Sequence, residues 1–363
     1  MKNKGIVKKI GAVLFATVIT AGTLVGCGAD KAEAESTIEK VSEAEEATDV
    51  KVEKDDYKVV RIGAGDANNL QLIDLVKLAQ NNGFLEEELN AVGYTYEVYG
   101  FQGQGPEINT ALMSNSIDVG VYGDFPALTS KASGADTTVI AIANPIFTYG
   151  VLASNDIQTP KDLEGKNVVV QQGTTLYYFW EQYAAKNGID TSKVQVINSN
   201  VVDAVSLIQT GDADAFVSAY SSLKYYEATG IGHLVGSDDI SSDGYSATVV
   251  NISNTFLKEN PDVAVAINKA LIRASEDAQK NPDAAYAILG NTYGDAGAPF
   301  AKAAYGFDET LSYFTPEITD EVRDYFAKTA QWMTANHILA AEVDLDTYLD
   351  NSYYEKAVSE LGK

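Results

Sequence analysis

The stretch that most narrows the choice of fold is Phe101 to Thr129, FQGQGPEINTALMSNSIDVGVYGDFPALT. It holds two strand-to-helix junctions in succession. The Gly-rich turn Gly103-Gln104-Gly105-Pro106 closes one extended run, and Glu107, Ile108, Ala111 and Leu112 then follow helical spacing. Pro106 suits a first helical position, where its missing N–H costs nothing. Ile117-Asp118-Val119-Gly120-Val121 reads as a short strand, and Gly123-Asp124-Phe125-Pro126 opens a second helix. Two helix N-termini behind two parallel strands would direct unpaired N–H groups and positive dipole ends at one place. Such a place tolerates an anion and needs no catalytic group. A plain α/β unit whose glycines only turn the chain has the same pattern, so the junctions alone leave both readings open.

The same rhythm runs through most of the chain. Residues 57–63 (YKVVRIG) form a strand, a helix follows from about Leu70 to Asn81, and Gly83-Phe84-Leu85-Glu86 begins a short second helix. Residues 94–101 alternate like a strand, and 137–143 (TTVIAIA) read as a buried one ending at Asn144-Pro145. Strands alternating with helices imply a mostly parallel sheet covered on both faces. A second set follows: strands at 147–153, 167–170, 194–197 and 213–217, with helices at about 176–187 and 202–210 between them. The turn before 117–121 and Gly211-Asp212-Ala213-Asp214 before the strand at 213–217 play similar parts. Two similar α/β halves predict two lobes with a cleft between them. Residues 245–252 read as a strand returning to the first lobe, which gives boundaries of 57–148 with 246–363 for one lobe and 149–245 for the other. Beyond 252 the pattern is helical. Val263, Ile267, Leu271 and Ala274 mark one face of a long helix, and Val322, Tyr325, Phe326 and Trp332 are expected to serve packing.

Composition excludes several kinds of chemistry. The chain has 363 residues, 26 Lys and Arg against 51 Asp and Glu, one Cys and two His. One Cys permits neither an intramolecular disulfide nor a Cys-based zinc site, and two His make a His-rich metal site implausible. A formal charge of −25 argues against a nucleic-acid partner.

The first residues are a targeting segment. Lys2, Lys4, Lys8 and Lys9 precede an apolar run, Ile10 to Val25, that ends in Leu24-Val25-Gly26-Cys27. This resembles a bacterial lipobox, which implies cleavage after residue 26 and a lipid on Cys27, holding the protein on the outer side of the cell membrane. The segment carries four Lys and no acid, so its removal takes the formal charge from −25 to −29. Residues 27–56 read as a flexible tether. Eleven acids stand against four Lys there with no aromatic residue, so little apolar surface is present to offset the entropy of ordering.

The order of segments in residues 57 to 360 resembles bacterial ABC-transporter substrate-binding proteins, in particular the set serving aliphatic sulfonates, taurine and nitrate. The resemblance rests on Gly83-Phe84-Leu85-Glu86, the turn at 103–105, Ala111-Leu112 with Ile117-Asp118-Val119-Gly120, and Gly123 with Pro126-Ala127-Leu128. It continues in Asp162-Leu163-Glu164-Gly165-Lys166, Gln172-Gly173-Thr174, Asp203-Ala204 and Gly211-Asp212-Ala213-Asp214-Ala215. It implies an α/β, two-lobed type II periplasmic-binding-protein fold with the ligand in the cleft. It also implies a monomer that delivers its ligand to a membrane permease with an ATPase subunit, without cofactor or catalysis.

In an open α/β sheet, ligands sit beyond the carboxyl ends of the strands. The family's binding positions then fall on Asn68, Gln104, Gly105, Asp124, Phe125 and Asn144 in the first lobe. In the second they fall on Gln172, Gly173, Thr174, Thr175, Asn200, Val201, Ser218 and Tyr220, with Tyr245 near the return strand. Thr174 and Thr175 offer hydroxyl and backbone donors at a helix start, which suits an oxyanion and equally a helix cap. No junction loop contains Lys or Arg, and Asp66, Asp124 and Asp243 are nearby. Either neutral donors hold the oxyanion, or Asp124 pairs with an ammonium, as in taurine; Asp124 as a mere helix cap is a third reading. Tyr122, Phe125, Phe147, Tyr149, Tyr177 and Tyr220 are the candidate walls for an organic chain or ring. A thiamine-pyrimidine or riboflavin-type precursor, or nitrate, is the alternative ligand. An enzyme and a sensory domain are rival classes, but His233 and His337 lie outside the junctions and no nucleophile elbow is present.

Overall fold

A computed structural model describes residues 57–65, 71–236, 246–306 and 310–363. Its backbone is built on two five-stranded sheets. The first contains β1 (Lys58–Ala64), β2 (Tyr94–Gly100), β3 (Val119–Gly123), β4 (Thr137–Asn144) and β10 (Thr248–Ser253), in the order β2-β1-β3-β10-β4. The second contains β5 (Tyr149–Ala153), β6 (Asn167–Val169), β7 (Gln195–Ile197), β8 (Ala215–Ala219) and β9 (His233–Leu234), in the order β7-β6-β8-β5-β9.

The expected parallel character holds for part of each sheet. β1 pairs in parallel with β2 and β3, and β6 with β7 and β8. β10 departs from it. It enters from the second lobe and inserts antiparallel between β3 and β4, with Val250 opposite both Val121 and Ala141. All six of its residues are buried, as are all eight of β4. That explains their apolar, β-branched runs. β4 lies at the end of its sheet, and C-terminal segments cover that edge: Asp350 N donates to Val139 O and Ile142 N to Pro316 O, each at 3.0 Å. A covered edge cannot recruit another strand. Asn251 is buried in β10, and its Nδ2 donates to Tyr122 Oη at 2.8 Å and Tyr348 Oη at 3.1 Å.

The helices that matter for the cleft follow strand ends. α1 (Asp74–Asn81) comes after β1, with α2 (Phe84–Ala91) beyond it; α3 (Gly105–Met113) follows β2 and α4 (Asp124–Ala132) follows β3. In the second lobe, α5 (Thr175–Lys186) follows β6, α6 (Val201–Thr210) follows β7 and α7 (Tyr220–Ala228) follows β8. The sequence pattern places the first helix from Leu70, but it starts at Asp74. Nor does the pattern reveal α7, because Tyr220 reads as the end of a strand. After α8 (Asn254–Glu259), the long α9 (Pro261–Lys280) buries Val263, Ile267, Leu271 and Ala274 as their spacing predicts. Asn268 ties α9 to β4, donating to Ile140 O at 3.1 Å. α10 (Pro282–Gly290), α11 (Ala298–Tyr305), α12 (Asp320–Ala335), α13 (Leu345–Tyr348) and α14 (Ser352–Glu360) complete the chain. Val322 and Phe326 of α12 are buried, and Trp332 meets Tyr178 of α5 edge-on at 4.9 Å. That contact joins the C-terminal helices to the second lobe.

Candidate functional site

The chain passes between the sheets twice, from β4 to β5 and again before β10. These passages lie side by side, with Phe147 N donating to Ser246 O at 2.7 Å. Beside them is a cavity of about 320 Å³ walled by residues of both lobes. First-turn residues of α1, α3, α5, α6 and α7 all reach it: Asp74, Gly105, Thr175, Val201 and Ser221. The first four N–H groups of a helix have no intrahelical acceptor, so five such ends concentrate donors and positive dipole around one hollow.

Local sequence explains how closely these ends approach. Gly105 stands where a Cβ would lie 2.4 Å from Pro126 Cγ, so only glycine lets α3 begin against α4. Gln104, just before it, has φ 51° and ψ −132°. That conformation costs a non-glycine residue of order 1–3 kcal/mol, and such strain gathers at binding sites. Across the cleft, a Cβ on Gly123 would meet Thr175 Oγ1 at 2.2 Å, so the missing side chain is what lets β3 and α5 come this close.

Six of the residues expected at the ligand line the cavity: Gln104, Gly105, Thr174, Thr175, Val201 and Ser218. Others do not. Asp124 and Phe125 are buried behind the wall, because α4 turns them into the packing between the lobes. Phe125 stacks on Tyr178 with ring centroids 6.0 Å apart. Asp124 Oδ1 accepts from Phe125 N at 2.7 Å, Ser246 Oγ at 3.3 Å and Thr175 Oγ1 at 3.4 Å. Its Oδ2 accepts from Ala247 N at 3.3 Å. Asp124 therefore has protein donors where a ligand ammonium was expected. Asn144 is likewise buried, donating to Asp74 at 3.2 Å. Gln172 and Gly173 are exposed. Asn200 caps α6, its Oδ1 accepting from Asp203 N at 3.0 Å, and Tyr220 starts α7 outside the cavity lining. Asn68, Tyr245, Asp66, Asp243 and Cys27 lie outside the described residues.

The threonine hydroxyls are already engaged. Thr174 Oγ1 donates to Gln171 O at 2.7 Å and accepts from Leu176 N at 3.2 Å. Thr175 Oγ1 turns to Asp124. What this junction offers a ligand is therefore backbone N–H at the start of α5. Asn200 can be assigned by substitution. Asn200→Ala should cost about 1 kcal/mol of stability, the usual worth of a cap, and leave ligand affinity unchanged; a thermal melt and a titration on the same sample check both.

Several wall residues carry no mark in the sequence. Asp74 and Lys77 sit one turn apart on α1, and Thr292, Tyr293 and Tyr305 come from the C-terminal region. Lys77 places a cation where the junction loops have none. Its Nζ donates to Thr292 Oγ1 at 2.9 Å and Leu289 O at 3.3 Å. Nothing in the apolar periodicity of α1 marks Lys77, and Tyr293 and Tyr305 read as packing. They join Tyr122, Phe147 and Tyr149, so among the described residues five aromatic side chains line the wall; Phe125, Tyr177 and Tyr220 do not. Burial raises both Asp74 and Asp124 to about 6, against the hydrogen bonds that favour their charged forms.

Two α/β lobes joined by paired crossing segments, with one cavity between the helix-bearing ends of their strands, constitute the type II periplasmic-binding-protein fold. Solved structures agree. The periplasmic sulfonate-binding protein SsuA of Methylobacillus flagellatus superposes with a TM-score of 0.68 at 22% identity, covering 85% of this chain and 96% of that one. The desulfurization enzyme DszB also has this fold, with a TM-score of 0.62 at 14% identity over 84% of this chain and 99% of its own. The chain belongs to the NMT1/THI5-like family, whose profile matches residues 77–285. Among its relatives, the Bacillus subtilis binding protein YtlA is 29% identical over 55% of this chain and 60% of its own length. An Escherichia coli protein described as binding aliphatic sulfonates is 29% identical over 31% of this chain and 36% of its own. The chain thus matches less than two thirds of each of these relatives. Among the described residues, no helix is long and apolar enough to cross a membrane.

Proposed function

We propose that this protein is the solute-binding receptor of an ABC importer, working outside the cytoplasm and tethered by a lipid on Cys27. It captures a small organic anion or zwitterion, with an aliphatic sulfonate or taurine as the leading class, and hands it unaltered to a permease driven by an ATPase subunit. The observation that carries this reading is the cavity, bounded by both lobes, onto which five helix starts converge. Oxyanions are held at such ends by fixed N–H dipoles, and the lobes close on the solute as a hinge. The sulfonate-binding relative and structural neighbour support the ligand class.

A second ligand reading has its own support. The aromatic side chains on the wall suit a heterocyclic vitamin precursor as well as an organic sulfonate. Nitrate is less well matched, since a cavity of about 320 Å³ far exceeds a four-atom anion. Catalysis is disfavoured by the residues present. The only Cys is Cys27, and neither His233 nor His337 lines the cavity.

A thermal-shift panel of benzenesulfonate, taurine, nitrate and an aminopyrimidine tests the proposal. A ligand at a hundred times its Kd adds about 2.7 kcal/mol to folding stability, so a sulfonate should raise the melting temperature and nitrate should not. A shift with the aminopyrimidine alone would favour the second reading, and no shift with any of them would refute the first.

A further inference from the structure

Asp124, the acid expected to meet a ligand ammonium, is walled off, yet another carboxylate stands on the cavity wall. Asp74 opens α1 with φ 54° and is 1% exposed. Its hydrogen bonds are lopsided. Asn144 Nδ2 at 3.2 Å and Tyr305 Oη at 2.8 Å both donate to Oδ1. Oδ2 is buried and has no hydrogen-bond partner among the described residues, although the nearby Thr248 hydroxyl favours the charged carboxylate. Buried polar atoms in folded proteins are almost always paired, and an exception calls for an explanation. Left-handed backbone at a non-glycine residue is a second departure of the kind that gathers at binding sites.

The surroundings suit a positively charged or N–H-bearing group. Tyr305, which holds Oδ1, stands edge-on to Phe147 at 6.5 Å, and Phe147 lies 5.0 Å from Tyr149; all three rings line the same cavity. Aromatic faces attract a cation brought among them. Lys77, one turn along α1, is the cation on the same wall, its Nζ held by Thr292 and Leu289.

We propose that Asp74 is the acceptor for an ammonium or amino group of the solute, so that the protein selects amino-bearing organic oxyanions over their amino-free counterparts. This rests on the receptor reading above and narrows its solute class. The ammonium-pairing role passes from Asp124 to a residue at the start of α1, with the same chemistry and an oxygen the protein leaves unpaired. Burial raises the Asp74 carboxyl to about 6, which leaves it ionised and able to accept at neutral pH.

Matched pairs of probes test it by titration calorimetry: taurine against ethanesulfonate, and sulfanilate against benzenesulfonate. The wild-type protein should bind the amino member of each pair at least tenfold more tightly. Asp74→Asn should abolish that preference. Asparagine tolerates the left-handed backbone and keeps one oxygen for Asn144 and Tyr305, but it presents an amide donor in place of Oδ2. Equal affinities within both pairs for the wild-type protein would overturn the assignment and leave the receptor reading standing, as would a preference that survives Asp74→Asn. Failure of the wild-type protein to bind any of the four would overturn both. The wild-type comparison needs no variant, so it decides the matter even if Asp74→Asn does not fold.

Discussion

Gly123→Ala is expected to lower ligand affinity ten- to a hundredfold with little change in the fold of either lobe. Gly123 has φ −67° and ψ 153°, which alanine adopts freely, so the backbone itself is not strained by the change. The difficulty is across the cleft. The added methyl would sit 2.2 Å from Thr175 Oγ1 and 3.3 Å from Thr175 Cβ. Overpacking of this kind costs roughly 1–3 kcal/mol. Each lobe can escape it by drawing away from the other, so the cost falls on the closed, binding-competent arrangement rather than on folding. Every 1.4 kcal/mol is a factor of about ten in affinity, which sets the expected range. Removing Thr175 Oγ1 relieves the worst contact, so Gly123→Ala with Thr175→Ala should regain part of the loss. Calorimetry on the single and double variants decides it, and an affinity unaffected by Gly123→Ala would show that the β3–α5 approach is not needed for binding.

The second large effect concerns Asp124 and pH. Its neighbours come from every element packed around it: Thr175 and Tyr178 of α5, Tyr149 of β5, Ser246 and Ala247 before β10, Tyr325 of α12 and Tyr348 of α13. None of these is a cation. Burial raises its carboxyl from 3.8 to about 6. A tenfold change in proton affinity is worth about 1.4 kcal/mol, so this displacement amounts to roughly 3 kcal/mol. Because the folded pKa lies above the unfolded one, the folded state binds this proton more tightly. The contribution is fully present below about pH 4 and is lost as pH rises through about 6. Asp74 acts in the same direction over the same window. The net charge of −25 adds to it, since protonation relieves repulsion. The protein should therefore melt several degrees higher at pH 5.5 than at pH 7.5, and Asp124→Asn should reduce that difference by removing one of the titrating groups. A melting temperature that falls on acidification over this range would contradict the sign.

Much of the architecture could be read locally. Gly103 to Pro106 and Gly123 to Pro126 open α3 and α4 where the turn chemistry places them, and the periodic face of α9 is the one that is buried. These features depend on neighbours a few residues apart. The parts of the wall with no local signature depend on residues far apart. Lys77 meets Thr292, and Tyr305 meets Asp74; neither distance along the chain leaves a periodic trace. Asp124 shows the converse. Its position after a strand and before a helix gives it the look of a ligand-facing residue, but Thr175, Ser246 and Ala247 come together only when the second lobe and β10 are in place. A local pattern cannot distinguish a carboxylate that faces the cleft from one that is sealed just behind it.

The central claim is that one solute occupies the cleft between the lobes and leaves it chemically unchanged. Calorimetric titration of the wild-type protein and Gly123→Ala with taurine, with recovery of the solute afterwards, tests it most directly. The expected result is one saturable site per chain, weakened in the variant, and intact taurine recovered in full. Taurine consumed by the protein, or a binding curve that Gly123→Ala leaves unaltered, would contradict it.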